Sequence, residues 1–422
     1  MQTSLAPEYK TSADGLAAEA ILRKCVHCGF CTATCPTYQL LGNELDGPRG
    51  RIYLIKQVLE GQVPSRKTQL HLDRCLTCRN CETTCPSGVE YGHLIDIGRK
   101  LVDEKVARPV AQKAIRWALK EGLPSPWFAP AMALGQSVRG WLPDALKAKV
   151  PEREPAGQWP AATHARKMLM FAGCVQPAMK PNINSATARV LDAAGVQLVI
   201  AAKAGCCGAV KFHLNDHDGG KAEMRRNIDA WWPFVENGNI EAIVMNASGC
   251  GVTVKAYGHH FQDEPAYAAK AARLSALTKD LSELLPTLLE ALRPKVSAAV
   301  AAQAGLVAFH PPCTLQHGQR LNGGVEQHMA ALGFQIKRAN CEAHLCCGSA
   351  GTYSVLQPAI AYQLRDRKLG HLSELQPAVI ASANIGCITH LQSGTATPVR
   401  HWVEVLDAAL HSGQEPAQRG PG

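Results

Sequence analysis

Eight cysteines in the first hundred residues carry the clearest chemical signal in this sequence. They form two runs with the same spacing, C-x2-C-x2-C-x3-C followed by proline. The runs are Cys25, Cys28, Cys31 and Cys35 before Pro36, and Cys75, Cys78, Cys81 and Cys85 before Pro86. Three thiolates on a tight loop can bind three irons of one cubane, and the fourth cysteine of such a run ligates the other cluster of a pair. The spacing therefore predicts two [4Fe-4S] clusters.

The same spacing predicts which cysteines share a cluster. Because the proline after each fourth cysteine prevents the loop from continuing, that cysteine is expected to point to the other cluster. One cluster is assigned Cys25, Cys28, Cys31 and Cys85, and the other is assigned Cys75, Cys78, Cys81 and Cys35. Zinc is the alternative, since paired CxxC motifs also build zinc ribbons. The rhythm of each run differs from that of a tetrahedral ribbon and favours iron.

Eight further cysteines form two matched quartets in the rest of the chain. Each quartet has one cysteine after a short apolar segment, then an adjacent Cys-Cys pair followed by glycine, then a last cysteine. The quartets are Cys174, Cys206, Cys207 and Cys250, and Cys313, Cys346, Cys347 and Cys387. Ordinary buried cysteine is one interpretation, but the internal repetition favours a cluster or another thiophilic metal at each quartet. Cys341 has no counterpart and is expected to be a spectator, although it could supply a fifth thiolate.

The elements around the quartets explain why their cysteines should converge. In each copy, short apolar segments alternate with amphipathic helices, a pattern typical of parallel βαβ units. Loops after the ends of parallel strands meet at one sheet edge. The expected fold class is a multidomain α+β and α/β chain, with a helical two-cluster ferredoxin-type domain followed by two repeated βαβ cysteine-rich domains. The expected limits are 1–104 for the ferredoxin-type domain, 105–165 for a helical segment and linker, 166–295 and 296–410 for the cysteine-rich domains, and 411–422 for a disordered tail.

The segment between the two cysteine runs predicts an amphipathic helix over 52–60. Asp46 is a plausible N-cap of this helix, and Gly61 a plausible stop. Arg49 and Arg51 precede the helix. They could lie near a cluster and stabilise its reduced form, or they could be solvated residues at a helix start.

The expected linker region 105–165 is rich in aromatic residues, namely Trp117, Trp127, Phe128 and Trp141. A contact with a partner or a membrane surface is one interpretation, because amphipathic aromatic helices make such contacts. Burial against the ferredoxin-type domain is the interpretation we favour from sequence, because large aromatic side chains are mostly covered in folded proteins.

Charge and motif content restrict the function classes. The net charge of +9 is spread thinly over 422 residues, which argues against a nucleic-acid partner. The sequence has no apolar run long enough to span a bilayer and does not begin like a secretory signal, so neither a transmembrane segment nor a signal peptide is expected. No dinucleotide fingerprint, nucleophile elbow or P-loop occurs. The chain is therefore not expected to be catalytic alone.

The cysteine pattern resembles that of the glycolate oxidase iron–sulfur subunit family, which combines a ferredoxin-type domain with two CCG cysteine-rich domains. The resemblance covers residues 18–410 and rests on both ferredoxin runs, on the Cys-Cys-Gly sequences at 206–208 and 346–348, and on the segments around Cys250 and Cys387. It implies an electron-transfer subunit of a flavin-dependent 2-hydroxy-acid (glycolate) dehydrogenase complex with a non-NAD acceptor. FAD would be on partner subunits.

The resemblance also implies a membrane acceptor such as a quinone, with which the chain interacts indirectly, and a peripheral location on the cytoplasmic face of the inner membrane. The related D-lactate and glycerol-3-phosphate dehydrogenase complexes share this architecture and remain alternatives. A heterodisulfide-reductase-like enzyme acting at a CCG site is a further alternative. Enzymes of that type end the motif in CxxC, whereas this sequence has Thr253 and His390 at the fifth position.

Overall fold

The computed structural model describes residues 1–147 and 149–411, and its first third is built from helices. Within residues 1–147 it contains no β-strand. The helices are α1 Ala13–Lys24, α2 Phe30–Ala33, α3 Pro36–Leu41, α4 Pro48–Leu59, α5 Arg66–Asp73, α6 Asn80–Thr84, α7 Tyr91–Lys105, α8 Val110–Gly122, α9 Phe128–Ser137 and α10 Asp144–Lys147, with 3-10 turns at Pro7–Tyr9, Glu44–Asp46 and Arg139–Trp141. Leu22, Ile55 and Leu94 are fully buried where α1, α4 and α7 pack together. Burial of each such side chain stabilises the fold by about 1.5–3 kcal/mol.

Helix α4 starts earlier than predicted, and Asp46 is not its N-cap. Pro48 occupies the first helical turn and Gly47 is the N-cap, an arrangement that loses no hydrogen bond because the first N–H groups of a helix have no partner within it. Asp46 is buried, and its carboxylate lies 2.9 Å from Nδ1 of His71 and 3.0 Å from Arg74. The prediction was wrong because long-range partners, invisible in the local sequence, compete for this carboxylate. Gly61 follows the end of α4 with φ +95°, as a helix stop requires.

The remaining described chain builds the same sheet twice. The strands are β1 Arg166–Met170, β2 Val196–Ile200, β3 Ile243–Met245 and β4 Thr278–Asp280, and then β5 Val307–His310, β6 Ile336–Arg338, β7 Val379–Ser382 and β8 Val399–His401. Their orders are β2-β1-β3-β4 and β6-β5-β7-β8, and all pairings are parallel. The prediction of two parallel repeats is confirmed. The fourth strand of each sheet was missed because it is a short, largely polar segment, Thr-Lys-Asp in β4 and Val-Arg-His in β8, and so shows no apolar run that would indicate a strand.

Helices connect these strands and join the two halves. They are α11 Gln176–Met179, α12 Asn182–Ala193, α13 Ala209–His213, α14 His217–Glu236, α15 Ser248–Lys255, α16 Tyr257–His260, α17 Ala268–Leu277, α18 Leu281–Leu292, α19 Ala298–Gln303, α20 Gly324–Ala331, α21 Tyr353–Leu356, α22 Pro358–Ser373, α23 Ile385–Gln392 and α24 Trp402–His411, with a π-helical turn at Thr314–Gly318. Helix α12 of the first half packs on α24 of the second, where Arg189 forms an ion pair of 2.6 Å with Asp407. One apolar core therefore extends through both halves. Of the expected tail 411–422, residue 411 ends α24 and the remainder lies outside the described residues.

The aromatic residues of the segment between the helical third and the first sheet are not buried against the ferredoxin-type region. Trp117, Trp127 and Trp141 are 65%, 78% and 90% exposed. Helix α8 is attached by charge instead, since Arg116 pairs with Asp73 of α5 at 3.0 Å. The favoured interpretation of these tryptophans was therefore wrong, because α8 contacts the rest of the protein through ion pairs such as Arg116–Asp73 and Lys120–Asp216 and has no buried residue. Among the described residues, no helix has both the length and the apolar character needed to cross a membrane.

The glycine after each Cys-Cys pair is required by the backbone. Gly208 and Gly348 have φ of +92° and +90°, a left-handed conformation that costs other residues energy. A Cβ on Gly348 would lie 2.3 Å from the carbonyl oxygen of Ala361 in α22, and one on Gly208 would lie 2.7 Å from that of Gly220 in α14. Glycine thus allows a long helix to approach the cysteine loop in each half.

We predict that Gly348→Ala destabilises the protein by about 3 kcal/mol or more, the sum of left-handed strain and backbone overpacking. Gly195→Ala is the matched control, because Gly195 has φ +76° but open space around the position of a Cβ. The control is expected to lose only about 1 kcal/mol. Urea unfolding measures the free energy of unfolding of both variants. Equal losses of stability would show that the contact with α22 adds nothing to the cost of the substitution.

Candidate metal centres

The structure brings the eight cysteines of the first hundred residues together in two groups. Group A is Cys25, Cys28, Cys31 and Cys85, and group B is Cys35, Cys75, Cys78 and Cys81. The cysteines of group A line one cavity, with Val26, Phe30 and Ile52 among its apolar lining residues. Cys81 of group B also reaches this cavity. The two groups are therefore neighbours, and each contains one cysteine from the other run.

The two cysteine loops share one backbone conformation. In the first loop His27 and Gly29, on either side of Cys28, have φ of +55° and +86°. In the second loop Thr77 and Arg79 occupy the same places with φ of +53° and +57°. Left-handed residues at these two places curl the chain so that three successive thiols face inward. Non-glycine residues in this conformation cost of order 1–3 kcal/mol each, a strain typical of a ligand-binding loop.

Helices α2 and α6 pack against each other and carry the fourth cysteines to the opposite group. The Asn80 side chain donates to the Thr34 carbonyl oxygen at 2.9 Å, and the Thr84 hydroxyl lies 3.1 Å from that of Thr34. Cys35 follows α2 as the N-cap of α3, and Cys85 is the C-cap of α6. Each cysteine thus leaves its own loop where a helix ends or begins and enters the other group.

The donor chemistry of both groups fits a four-iron cluster. Burial, followed by the nearby thiolates of Cys25, Cys28 and Cys85, raises the pKa of Cys31 to about 11. Burial and the neighbouring group B thiolates likewise raise the pKa of Cys81 well above its ordinary value. Four thiolates held close together repel one another, and a cationic iron core offsets that repulsion. Soft sulfur donors in an apolar surrounding therefore match the cluster that the spacing predicts.

A buried ion pair lies beside group B, near Cys35. The guanidinium of Arg51 donates to the Thr37 hydroxyl at 3.2 Å, which in turn lies 3.3 Å from Sγ of Cys35. Arg51 is buried and sits 3.7 Å from the Asp46 carboxylate. Arg49, by contrast, pairs with Glu44 at 2.6 Å at the wall of the group A cavity. The two arginines are therefore placed near the groups, and Arg51 is not a solvated residue.

The later cysteines form two quartets with the same internal order of contacts. Quartet 1 is Cys174, Cys206, Cys207 and Cys250, and quartet 2 is Cys313, Cys346, Cys347 and Cys387. In each quartet the thiols act on one another's pKa values in the same order: the first cysteine and the first of the pair, then the two cysteines of the pair, then the last cysteine on the second of the pair. The N–H of Gly208 donates to Sγ of Cys206, and that of Gly348 to Sγ of Cys346, both at 3.4 Å. The sequence repeat is therefore a repeat of geometry as well.

The position of the quartets in the fold follows from the parallel strands. Cys174 comes soon after β1 and Cys250 lies in the first turn of α15, just after β3. Cys313 and Cys387 have the same relation to β5 and to α23 after β7. In quartet 1 the side-chain hydrogen bonds from Cys174 and then Cys207 lower the pKa of Cys206 well below its ordinary value. Such a thiolate is competent to bind a metal.

Group B adjoins quartet 2. Cys78, Cys313 and Cys346 belong to one buried apolar cluster that also contains Leu76. Burial and then the charge of Cys313 raise the pKa of Cys78 well above its ordinary value. Cys78 also contributes to the rise in the pKa of Cys346. The thiols of the helical third and those of the second sheet therefore influence one another directly.

Hydrogen bonds hold this junction in place. The Thr83 hydroxyl lies 2.9 Å from Nδ1 of His317, and the Tyr353 hydroxyl donates to the Arg74 carbonyl oxygen at 3.0 Å. The Nε2 of His317 lies 2.9 Å from the carbonyl oxygen of His344. These contacts join α6 and the second cysteine loop to the loops around quartet 2. No local sequence pattern could indicate the Thr83–His317 and Tyr353–Arg74 contacts, because each links residues more than two hundred positions apart.

The candidates for a fifth ligand are not at the quartets, and one unpredicted residue is. His390 is buried, and its Nε2 lies 3.1 Å from the Ala361 carbonyl oxygen. Cys341 is exposed. The nitrogen of His310, in contrast, lies with the sulfurs of Cys347 and Cys387, all within 4.8 Å of one another. His310 stands three residues before Cys313, and this spacing is the sequence signal that could have indicated it. A pattern defined by cysteines alone does not include it.

Three parts of the chain match family models, and they correspond to the three regions that contain the cysteine groups. Residues 21–89 match the 4Fe-4S dicluster domain, and residues 168–255 and 307–392 each match the Cysteine-rich domain called CCG. The first match contains both cysteine runs, and each of the other two contains one quartet.

Comparison with curated proteins finds two relatives of nearly the same length and a shorter one. The glycolate oxidase iron–sulfur subunit of Escherichia coli K12 is 53% identical over 97% of this chain and 99% of that protein. A probable glycolate oxidase iron–sulfur subunit of Bacillus subtilis 168 is 30% identical over 92% of this chain and 91% of that protein. Lactate utilization protein A of Geobacillus kaustophilus is 27% identical over 57% of this chain and 99% of that protein.

Proposed function

Because the chain belongs to the family of glycolate oxidase iron–sulfur subunits, we propose that it transfers electrons within a glycolate dehydrogenase complex and does not oxidise substrate by itself. The observation that carries this proposal is the succession of buried thiol groups, in which group B lies between group A and quartet 2. The chain is an iron–sulfur protein of an oxidoreductase complex.

We propose that group A and group B each hold one [4Fe-4S] cluster, and that quartets 1 and 2 hold further metal centres. Four-iron clusters accept and release single electrons. The chain contributes burial, which excludes water, and backbone N–H donors to sulfur, such as Thr77 to Cys75 at 3.4 Å. It also contributes the buried Arg51, whose positive charge favours a reduced and more negative neighbour. The domain limits given from sequence stay a proposal, supported by the matches to 21–89, 168–255 and 307–392.

We propose that the partners are FAD-containing subunits and that they meet the chain near group A. Cys28 is exposed, whereas Cys35, Cys75 and Cys81 of group B are buried. A partner can therefore approach group A more closely than group B. Glycolate is the favoured substrate of the complex, because identity to the glycolate-named relative is 53% over 97% of the chain but 27% over 57% for the lactate-named one. A D-lactate complex is the second candidate.

We propose a peripheral location at the cytoplasmic face of the inner membrane, where a quinone is the class of acceptor. The support is the exposed aromatic surface of Trp117, Trp127 and Trp141, with exposed Lys113 on the same segment. Indole rings favour the interface between lipid headgroups and acyl chains, and lysine favours anionic lipid.

We predict that Cys28→Ser in the assembled complex reduces electron flow from glycolate to a quinone analogue to the background of a complex without this chain. Reduction of the partner flavin by glycolate is expected to continue, because the substrate site lies on another subunit. Cys341→Ser is the control, since Cys341 is exposed and outside the four groups. Stopped-flow absorbance measures flavin reduction and quinone reduction separately. Glycolate oxidation by this chain alone, or unchanged electron flow in Cys28→Ser, would contradict the proposal.

We further predict that the double substitution of Trp127 and Trp141 with Ala weakens binding to vesicles of phosphatidylglycerol and phosphatidylethanolamine by about tenfold or more, since burial in the bilayer contributes about 0.8 kcal/mol per CH₂ group. Trp159→Ala is the control, because Trp159 is partly exposed but lies outside the segment α8–α10. Vesicle sedimentation measures both. Equal binding of the double variant and the wild type would remove this surface as the site of membrane contact.

A further inference from the structure

His310 is a buried histidine whose ring has no hydrogen-bond partner among the described residues. It is 1% exposed, and both Nδ1 and Nε2 are buried without a partner. A buried polar group left unpaired costs about 1–3 kcal/mol, and native proteins rarely keep one without a reason. The ring is therefore expected to have a partner other than the protein itself.

The neighbours of His310 indicate what that partner is. One ring nitrogen of His310 lies within 4.8 Å of the sulfurs of both Cys347 and Cys387, which in turn lie within that distance of each other. All three residues are buried. Imidazole nitrogen and thiolate sulfur are ligands that iron and zinc accept together. Two thiols and one imidazole around a common point have the composition of a metal site.

Other buried imidazoles near quartet 2 do not share this feature. Both nitrogens of His317 have partners, the Thr83 hydroxyl and the His344 carbonyl oxygen. His390 has the Ala361 carbonyl oxygen at 3.1 Å. Of these three histidines, His310 alone lacks a hydrogen-bond partner, and it is the one that lies beside the sulfurs.

The two halves of the repeat differ at this position. His310 stands three residues before Cys313, and Phe171 stands three residues before Cys174 in the first half. Phe171 is buried and packs edge-to-face on Trp231, with ring centroids 5.6 Å apart. The same place in the fold thus carries an apolar ring beside quartet 1 and a ligand ring beside quartet 2.

We propose that His310 is a nitrogen ligand of an iron centre at quartet 2, so that quartet 2 has a mixed nitrogen and sulfur ligand set and quartet 1 has sulfur only. The inference rests on the proposal above that quartet 2 holds a metal. Iron is the metal because the quartet adjoins Cys78 of group B, where a redox-inactive zinc ion could not exchange electrons.

A neutral imidazole brings a ligand to an iron–sulfur centre without the negative charge of a thiolate, and this favours a higher reduction potential than a ligand set of thiolates alone. Quartet 2 is therefore expected to be easier to reduce than quartet 1. Quartet 2 is then the natural recipient of an electron from the neighbouring group B.

The test is pulsed electron paramagnetic resonance of the full chain, purified and reconstituted with iron and sulfide under anaerobic conditions and reduced stepwise. The protein is prepared with natural histidine and with ¹⁵N-labelled histidine. One paramagnetic centre is expected to show a strongly coupled nitrogen that changes with the isotope, and this coupling is expected to be lost in His310→Phe and in His310→Asn. The labelling requires no variant, so the result does not depend on the folding of either. His390→Gln is the matched control and is expected to retain the coupling.

Absence of a coupled histidine nitrogen in the wild type, its persistence in both His310 variants, or stoichiometric zinc at quartet 2 would overturn the inference. Iron analysis of Cys347→Ser separates this failure from that of the proposed metal centre. Loss of iron in Cys347→Ser without nitrogen coupling in the wild type would refute only the role of His310. Unchanged iron in Cys347→Ser would refute both the centre at quartet 2 and its histidine ligand, and would leave the clusters of groups A and B in place.

Discussion

The structure depends on the cost of bringing buried thiols from separate parts of the chain to common points. Every cysteine except Cys341 belongs to one of four groups, and within the groups the thiols shift one another's pKa values. Such clusters are unfavourable for free thiolates and favourable for ligands of a cationic core. The strained loop residues, the glycine after each Cys-Cys pair and the packing of α2 on α6 all serve to direct sulfur to these points.

The helical domain and the second cysteine-rich domain meet beside group B and quartet 2, where electron transfer between the domains would require contact. Asp46 and Arg51 are buried beside Cys35, and the same region, through Arg74, hydrogen-bonds to Tyr353 of the second half. Cys78 on the other side of group B shares an apolar cluster with Cys313. Buried ion pairs are costly to break because removal of one partner leaves a buried charge. This junction therefore fixes group B relative to quartet 2, and the orientation of the two domains is part of the site.

Much of this arrangement could be predicted from the sequence, because the cysteines follow a short, repeated spacing and are themselves the expected metal ligands. The spacing of Cys25 to Cys35, and its repetition, indicated the clusters, and the apolar segments ahead of Cys174 and Cys313 indicated parallel sheets. What could not be predicted depends on distant contacts. Asp46 was interpreted as a helix cap because its partners His71 and Arg74 are far along the chain. Strands β4 and β8 were missed because they are short and largely polar. The tryptophans of α8 to α10 were expected to be buried, yet α8 contacts the rest of the protein through ion pairs.

The central claim is that the two cysteine runs exchange their fourth ligands and that group B is the neighbour of quartet 2. Crystals of anaerobically prepared full chain, measured on both sides of the iron absorption edge, test it most directly. The account predicts iron density bound by Cys85 together with Cys25, Cys28 and Cys31, separate iron density bound by Cys35 with the second run, and iron at quartet 2 nearest to the latter. Iron bound by Cys35 with its own run, or iron at quartet 2 that lies nearer to group A than to group B, would contradict it.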